Sequence, residues 1–376
     1  MPDIHAYLSA SSSDRWSRCP PSAKLNAEAM ERASPYAMEG TCAHSLCEYL
    51  VLDALGRECK DPTEHLDYYN SEMQEAAESY RDFFLEQIAD AKRLCQDPVI
   101  CVEQRVDFSR WVPGGFGTAD GLIVTDGFLQ IIDMKYGVGV LVSAEHNSQL
   151  SCYAIAGIDM YDGLYDIQKV KLSIFQPRRE HYDTWETTKD ELLSWADKEL
   201  APAAQLAIKG EGEFSAGDHC RFCRVKDTCR ARAEHYLELA EAAFKEPDTL
   251  DNYEIAALLP RLAGLVSWAD DLKEYALRQA IAGTKYPGFK VVEGRSVRRY
   301  TDDEAVAETV AKAGYDPFEK KVMGITAMTK MLGKKRFDEL LGSLTVKPQG
   351  KPVLAPDSDK RPEMHNIDEA FSEDND

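Results

Sequence analysis

The chain has no uninterrupted apolar run of about 18 residues, the length a membrane-spanning helix requires. It also lacks the basic-then-apolar opening of a secretory leader: the first residues read Met1-Pro2-Asp3-Ile4-His5-Ala6-Tyr7. The expectation is a cytoplasmic protein with no membrane partner. Bases are in short supply, with 44 Lys and Arg against 65 Asp and Glu and a net charge of −21. That deficit excludes a non-specific nucleic-acid coat, which needs a basic surface. An enzyme that meets DNA through a local basic channel and metals is still allowed. No internal repeat is present.

What the chain does have is length, pattern and thiols. Its 376 residues, 44 % of them apolar, allow a core and two domains. Ser9 to Cys19 read as a short serine-capped helix stopped by Pro20-Pro21. Helical patterns follow at about 39–55 and 70–95, and strand patterns at 99–108, 119–125 and 128–133. A helix is expected at 147–160, strands at 168–176 and 182–187, and a helix at 189–208. This order predicts an α/β fold, one mixed sheet flanked by helices. Helical patterns return at 231–245, 251–282 and within 301–342. The expected domains are therefore 1–245, a mostly helical accessory region at 246–345, and an extended or disordered acidic tail at 346–376. Residues 357–376 alone hold eight Asp or Glu against two Lys or Arg.

The stretch 117–137 is the most informative. Two strand-like runs, Leu122–Val124 and Phe128–Ile132, flank Thr125-Asp126-Gly127, a strong hairpin signal. Asp120 opens the first strand and Asp133 closes the second, so an antiparallel hairpin brings the two acids together. Lys135 lies two residues beyond Asp133 and leaves on the same face. Two acids and a lysine at one sheet edge can hold a divalent metal and a phosphate. Glu103, on the preceding strand, is a further acid in a supporting position, ranked below these.

Ten cysteines in a reducing compartment are not expected to pair as disulfides. Cys42, Cys47, Cys95, Cys101 and Cys152 sit in apolar patterns and read as core fillers. Cys220-x2-Cys223-x5-Cys229 is different, a dense thiol group in a charged segment, and Cys19 has a similarly polar setting. The spacing reads as a metal site and fits zinc and iron–sulfur alike, with His219 as a ligand in the zinc version.

Taken together these pieces resemble the RecB-type branch of the PD-(D/E)XK nucleases, specifically the iron–sulfur branch that includes the AddB nuclease domain and the CRISPR-adaptation nucleases. The resemblance rests on Ser-x-Ser and Cys19-Pro20, Gly40-x3-His44-x3-Glu48, Gly117-Thr-Ala-Asp120, Asp133-Met-Lys135, Gln149-x3-Tyr153-Ala and the three-cysteine group. It covers about residues 9–230. The segments Asp133–Gly137 and Ser143–Gln149 are also similar to a family of phage and prophage proteins. The resemblance implies a restriction-endonuclease-like fold and a metal-dependent deoxyribonuclease, expected to be an exonuclease in phage or prophage replication and recombination. It implies Mg²⁺ or Mn²⁺ on His44, Asp120 and Asp133, with Lys135 as the catalytic lysine. Gln149 and Tyr153 match the downstream helix motif that supports the active site and contacts DNA. Cys19, Cys220, Cys223 and Cys229 would hold a [4Fe–4S] cluster joining the ends of the core. The partners implied are DNA, single- or double-stranded, and a phage recombination or single-strand-binding protein, in the cytoplasm of a bacterial host. A CRISPR-adaptation nuclease is the alternative enzyme, and a non-catalytic DNA-binding scaffold the alternative class.

Each residue alone has an ordinary explanation. Asp133 and Lys135 can be a solvated strand-end ion pair of little energetic worth. His44 and Glu48 can be a surface helix pair, and Gln149 and Tyr153 can simply pack one helix face on the sheet. Their joint occurrence favours chemistry. Outside the core, Lys285, Lys290, Arg295, Arg298 and Arg299, and the group Lys330, Lys334, Lys335 and Arg336, are the candidate DNA contacts. The competing reading of both groups is an ordinary solvated face.

Overall fold

The structure is a computed structural model and describes residues 6–29, 35–242, 252–292, 302–318 and 322–346. The chain divides into two compact units, Met1–Val291 and Val292–Asp376. The acidic tail from 347 onward, and Arg295, Arg298 and Arg299, lie outside the described residues.

The first unit is built on a five-stranded mixed sheet in the order β1-β2-β3-β4-β5. The strands are β1 (Val99–Asp107), β2 (Phe116–Thr125), β3 (Phe128–Met134), β4 (Lys169–Gln176) and β5 (His181–Thr188). The hairpin forms where the sequence demanded it. Thr125 pairs with Phe128 across Asp126-Gly127, and Gly127 takes φ +73°, a conformation that suits glycine. Only β3 and β4 run parallel, and helix α5 (Ser148–Tyr165) makes the crossover between them.

Helices cover both faces. α3 (Pro35–Ala54) and α4 (Ser71–Leu94) pack on one, with Leu46, Val51, Tyr80, Phe84 and Ile88 against Ile123, Ile132 and Met134. α5 covers the other with α1 (Ser13–Arg18), α6 (Lys189–Trp195) and α7 (Ala201–Lys209), burying Leu122, Val124, Leu129 and Ile131. The alternation of Leu129 and Ile131 with Ile132 and Met134 is period-2 burial of a strand covered on both sides. The single helix expected at 189–208 is present as α6 and α7 joined through a π turn at Ala196–Leu200. α2 (Ser22–Glu28) follows the Pro20-Pro21 stop.

Local chemistry sets the helix starts. Asn70 accepts from Met73 N–H to cap α4, and Asn147 accepts from Leu150 N–H to cap α5. Thr188 and Glu191 form a reciprocal capping box on α6.

The first unit also carries α8 (Arg230–Ala242) and α9 (Asn252–Ile281). Arg232 and Lys226 pair with Asp271, and Arg278 with Asp227, so α9 is tied to the segment that follows the cysteine group. The second unit contains α10 (Asp303–Lys312), α11 (Ile325–Leu332) and α12 (Lys334–Leu341), the last two joined at Gly333 with φ +75°. No helix among the described residues is long and apolar enough to cross a membrane.

Candidate metal centre

One irregularity in the sheet positions the site. In β1, Ile100 and Val102 face α3 and α4, whereas Val106 faces α5. In β2, Gly117 and Ala119 face α5, yet Gly121 abuts Phe84 of α4. Both strands therefore break their alternation at the same step. Glu103 lies at that step in β1 with φ +48°, left-handed backbone in the middle of a strand, and Asp120 lies opposite it. A non-glycine residue held there costs about 1–3 kcal/mol, and such outliers concentrate at functional sites.

The kink brings three potential ligands together. His44 on α3, Glu103 on β1 and Asp120 on β2 place one ligand atom each within 4.8 Å of one another. His44 Nδ1 is 3.3 Å from Asp120 Oδ1 and 4.0 Å from Glu103 Oε1. Asp120 Oδ2 accepts from Met134 N–H at 2.7 Å, which fixes the carboxylate against the neighbouring strand.

Asp133 and Lys135 stand beside this triad. Asp133 Oδ1 accepts from Gln149 Nε2 at 3.0 Å, and Asp133 Oδ2 lies 2.9 Å from Lys135 Nζ. That second oxygen is fully buried and has no aligned hydrogen-bond donor. Lys135 Nζ donates to Gln149 Oε1 at 2.9 Å, and Gln149 Nε2 donates to Tyr153 Oη at 3.2 Å. Gln149 is thus a bridge from α5 that holds the acid and the lysine in register.

The glycines of Gly117-Thr-Ala-Asp120-Gly121 have a steric reason. A Cβ on Gly117 would fall 2.7 Å from the Tyr153 ring, and one on Gly121 would overlap Phe84. Both glycines let a helix approach the strand on either side of Asp120.

The electrostatics are those of a crowded anionic site. Burial disfavours the His44 imidazolium, but Asp120, Asp133 and Glu103 outweigh it and push its pKa up to about 9. Burial and then Asp120 raise Glu103 to about 7. Asp120 is held below the usual carboxylate range: burial opposes this, and His44 with the Met134 N–H prevails. Burial raises Asp133 against the pull of Lys135. Lys135 is raised because Asp133 and Asp120 overcome the cost of its burial.

The donor set suits a divalent cation: one imidazole nitrogen and carboxylate oxygens on two strands, with the Asp133–Lys135 pair beside them. Of the residues the sequence singled out, His44 and Asp120 meet in the triad. Asp133, Lys135, Gln149 and Tyr153 form the adjoining hydrogen-bonded group. The third member of the triad is Glu103, ranked lower from sequence. The one signal for it was an acid in the middle of an otherwise apolar-patterned strand.

Cys19, Cys220, Cys223 and Cys229 all line a single cavity, with about 330 Å³ of atom-free space including its opening, and all ten cysteines are free thiols. Among the described residues no three of these sulfurs come within 4.8 Å of one another. His219 lines the same cavity, its Nε2 2.9 Å from Ser215 O and its buried Nδ1 without a partner.

The fold and site define a class: a mixed α/β protein whose five-stranded sheet presents a histidine–carboxylate triad beside a buried Asp–Lys pair. The chain belongs to the family described as protein of unknown function (DUF2800), which matches residues 5–362. A solved structure described as "Crystal structure of SSO0001" is 16 % identical, over 50 % of this chain and 95 % of that chain, at a TM-score of 0.22.

Proposed function

We propose that this protein is a metal-dependent deoxyribonuclease with a restriction-endonuclease-like core. The observation that carries the proposal is the joint geometry at the kink. His44, Glu103 and Asp120 converge as ligands, and Lys135 is pinned beside them by Asp133 and Gln149. A Mg²⁺ or Mn²⁺ ion held there, with Asp133 beside it, supplies positive charge for a scissile phosphate and acidifies water. The imidazole in the set favours Mn²⁺ over Mg²⁺, which prefers oxygen.

The chain's own groups then have distinct tasks. Lys135, kept cationic by Asp133 and Asp120, offsets charge that develops on phosphorus. Gln149 holds Lys135 Nζ and Asp133 Oδ1 at fixed distances, so neither must reorganise when substrate binds. Asp120, anchored by Met134 N–H, is the fixed point of the ligand set.

The proposal extends to a [4Fe–4S] cluster on Cys19, Cys220, Cys223 and Cys229. It is supported by the cavity that the four cysteines share. Such a cluster supplies a covalent tie between the end of α1 and the segment after α7. Exonucleolytic action on DNA in phage or prophage recombination is the setting we assign. Lys285, Lys290, Lys335 and Arg336 are exposed cations available to the polymer.

Purified protein with Mn²⁺ is expected to degrade end-labelled DNA. Lys135→Ala should lower the rate by roughly 10²–10³-fold, the scale of losing one charged stabiliser, and Asp120→Ala should abolish cleavage. Undiminished cleavage in both variants would overturn the assignment.

A further inference from the structure

Asn26, on α2, is buried, and both ends of its side-chain amide are hydrogen-bonded beside the cysteine cavity. Its Oδ1 accepts from Arg224 N–H at 2.8 Å. That contact fixes the orientation of the amide, since only the oxygen can receive a backbone N–H. The NH₂ group is thereby turned to Ser22 O at 2.8 Å and to Cys223 Sγ at 3.2 Å. Arg15, on α1, lines the same cavity and donates to Ser22 O at 2.8 Å and Ser22 Oγ at 3.0 Å. Ser22 therefore joins the two donors. Burial lowers the pKa of Arg15, and the Cys223 and Cys19 sulfurs oppose the shift.

Four thiolates around a [4Fe–4S] core carry excess negative charge in a half-enclosed space. A hydrogen bond to a ligating sulfur and a nearby cation both favour the more negative, reduced state, and so raise the reduction potential. We infer that Asn26 is the positioning residue that sets the potential of this centre through Cys223, with Arg15 as its charge partner. The inference rests on the cluster reading and adds to it: the pocket is wired for a redox state as well as for mechanical linkage.

The test uses the full chain purified without oxygen. Iron and acid-labile sulfide are counted first on the unmodified protein, and about four of each are expected per chain. Zinc or no metal overturns the cluster reading and this inference with it. With the cluster present, spectroelectrochemical titration compares the protein with Asn26→Leu and Asn26→Asp, near-isosteric changes that remove the donor. At a fixed applied potential the oxidised-to-reduced ratio should rise about tenfold in Asn26→Leu, 59 mV for one electron, and further in Asn26→Asp. Potentials unchanged in both variants at full iron content would refute the role of Asn26 and leave the cluster standing. If Asn26 variants lose iron, Arg15→Gln and Arg15→Lys supply the same readout. The potential should drop in the first and recover in the second, and equal potentials in both overturn the inference.

Discussion

Metal binding at the triad should be strongly linked to protons, and the number released can be worked out from the site. His44, raised to about 9, carries a proton at neutral pH, and Glu103, raised to about 7, carries part of one. Asp120 is depressed and carries none. A cation needs the neutral imidazole and the ionised carboxylate, so each ion bound must displace those protons. At pH 8 the pair, titrating together, gives up a total near one proton, most of it from His44. At pH 6 both are almost fully protonated and the total approaches about two. Apparent Mn²⁺ affinity should therefore climb about tenfold per pH unit between pH 7 and 9, more steeply below 7, and level off above 9. Titration calorimetry in two buffers of different ionisation enthalpy counts the protons directly. His44→Ala should cut the release at pH 8 to what Glu103 supplies, itself raised once the imidazole is gone, as well as weaken binding. A release near zero at pH 8 in the unmodified protein would mean that the ion binds elsewhere.

Glu103→Gln should weaken Mn²⁺ binding by at least about tenfold while leaving the metal-free protein at pH 8 no less stable, since it removes a carboxylate whose ionisation the fold disfavours. Strong binding in that variant would remove Glu103 from the ligand set. Gly117→Ala should destabilise the protein by about 1–3 kcal/mol, because the new Cβ meets the Tyr153 ring at 2.7 Å. Denaturant unfolding checks this, and adding Tyr153→Leu should restore part of the loss. The metal-free protein should also lose stability as pH rises. Glu103 and His44 both have folded pKa values above their ordinary 4.5 and 6.5, so their contribution is whole at low pH and fades through 7 and then 9. Melting curves in chelator from pH 6 to 9.5 should fall more for the unmodified chain than for His44→Ala.

Most of the architecture was readable because local and global signals agreed. Asn70 and Asn147 cap helices that also carry apolar stripes. Asp126-Gly127 sits between two apolar runs, and the hairpin placed Asp120 and Asp133 side by side, as antiparallel geometry requires. Gln149, bonded to Tyr153 one turn on along α5, meets Asp133 and Lys135 because the crossover after β3 lays that helix back over the same strand. The domain expectation placed a boundary near 245. The first unit continues to Val291, where charge pairs such as Arg278 with Asp227 hold α9 by contacts between residues distant in sequence. Such pairs leave no periodic trace.

The residue hardest to rank from sequence was Glu103, and the reason is physical. A period-2 reading assigns each strand residue to one face and fixes the next by alternation. That rule holds on either side of the site and fails at it, where Glu103 takes left-handed backbone and both strands exchange faces. Nothing local in Val102-Glu103-Gln104 encodes the exchange. The exchange coincides with two close helix approaches: Phe84 lies where a Cβ on Gly121 would fall, and Tyr153 where one on Gly117 would. The two glycines of the Gly117–Gly121 motif are thus what leaves room for both rings. The kink in turn turns a third acid toward His44 and Asp120. The motif around Asp120 consequently specifies more than one carboxylate: it also leaves the room in which two helices close on the strand that pairs with the one carrying Glu103.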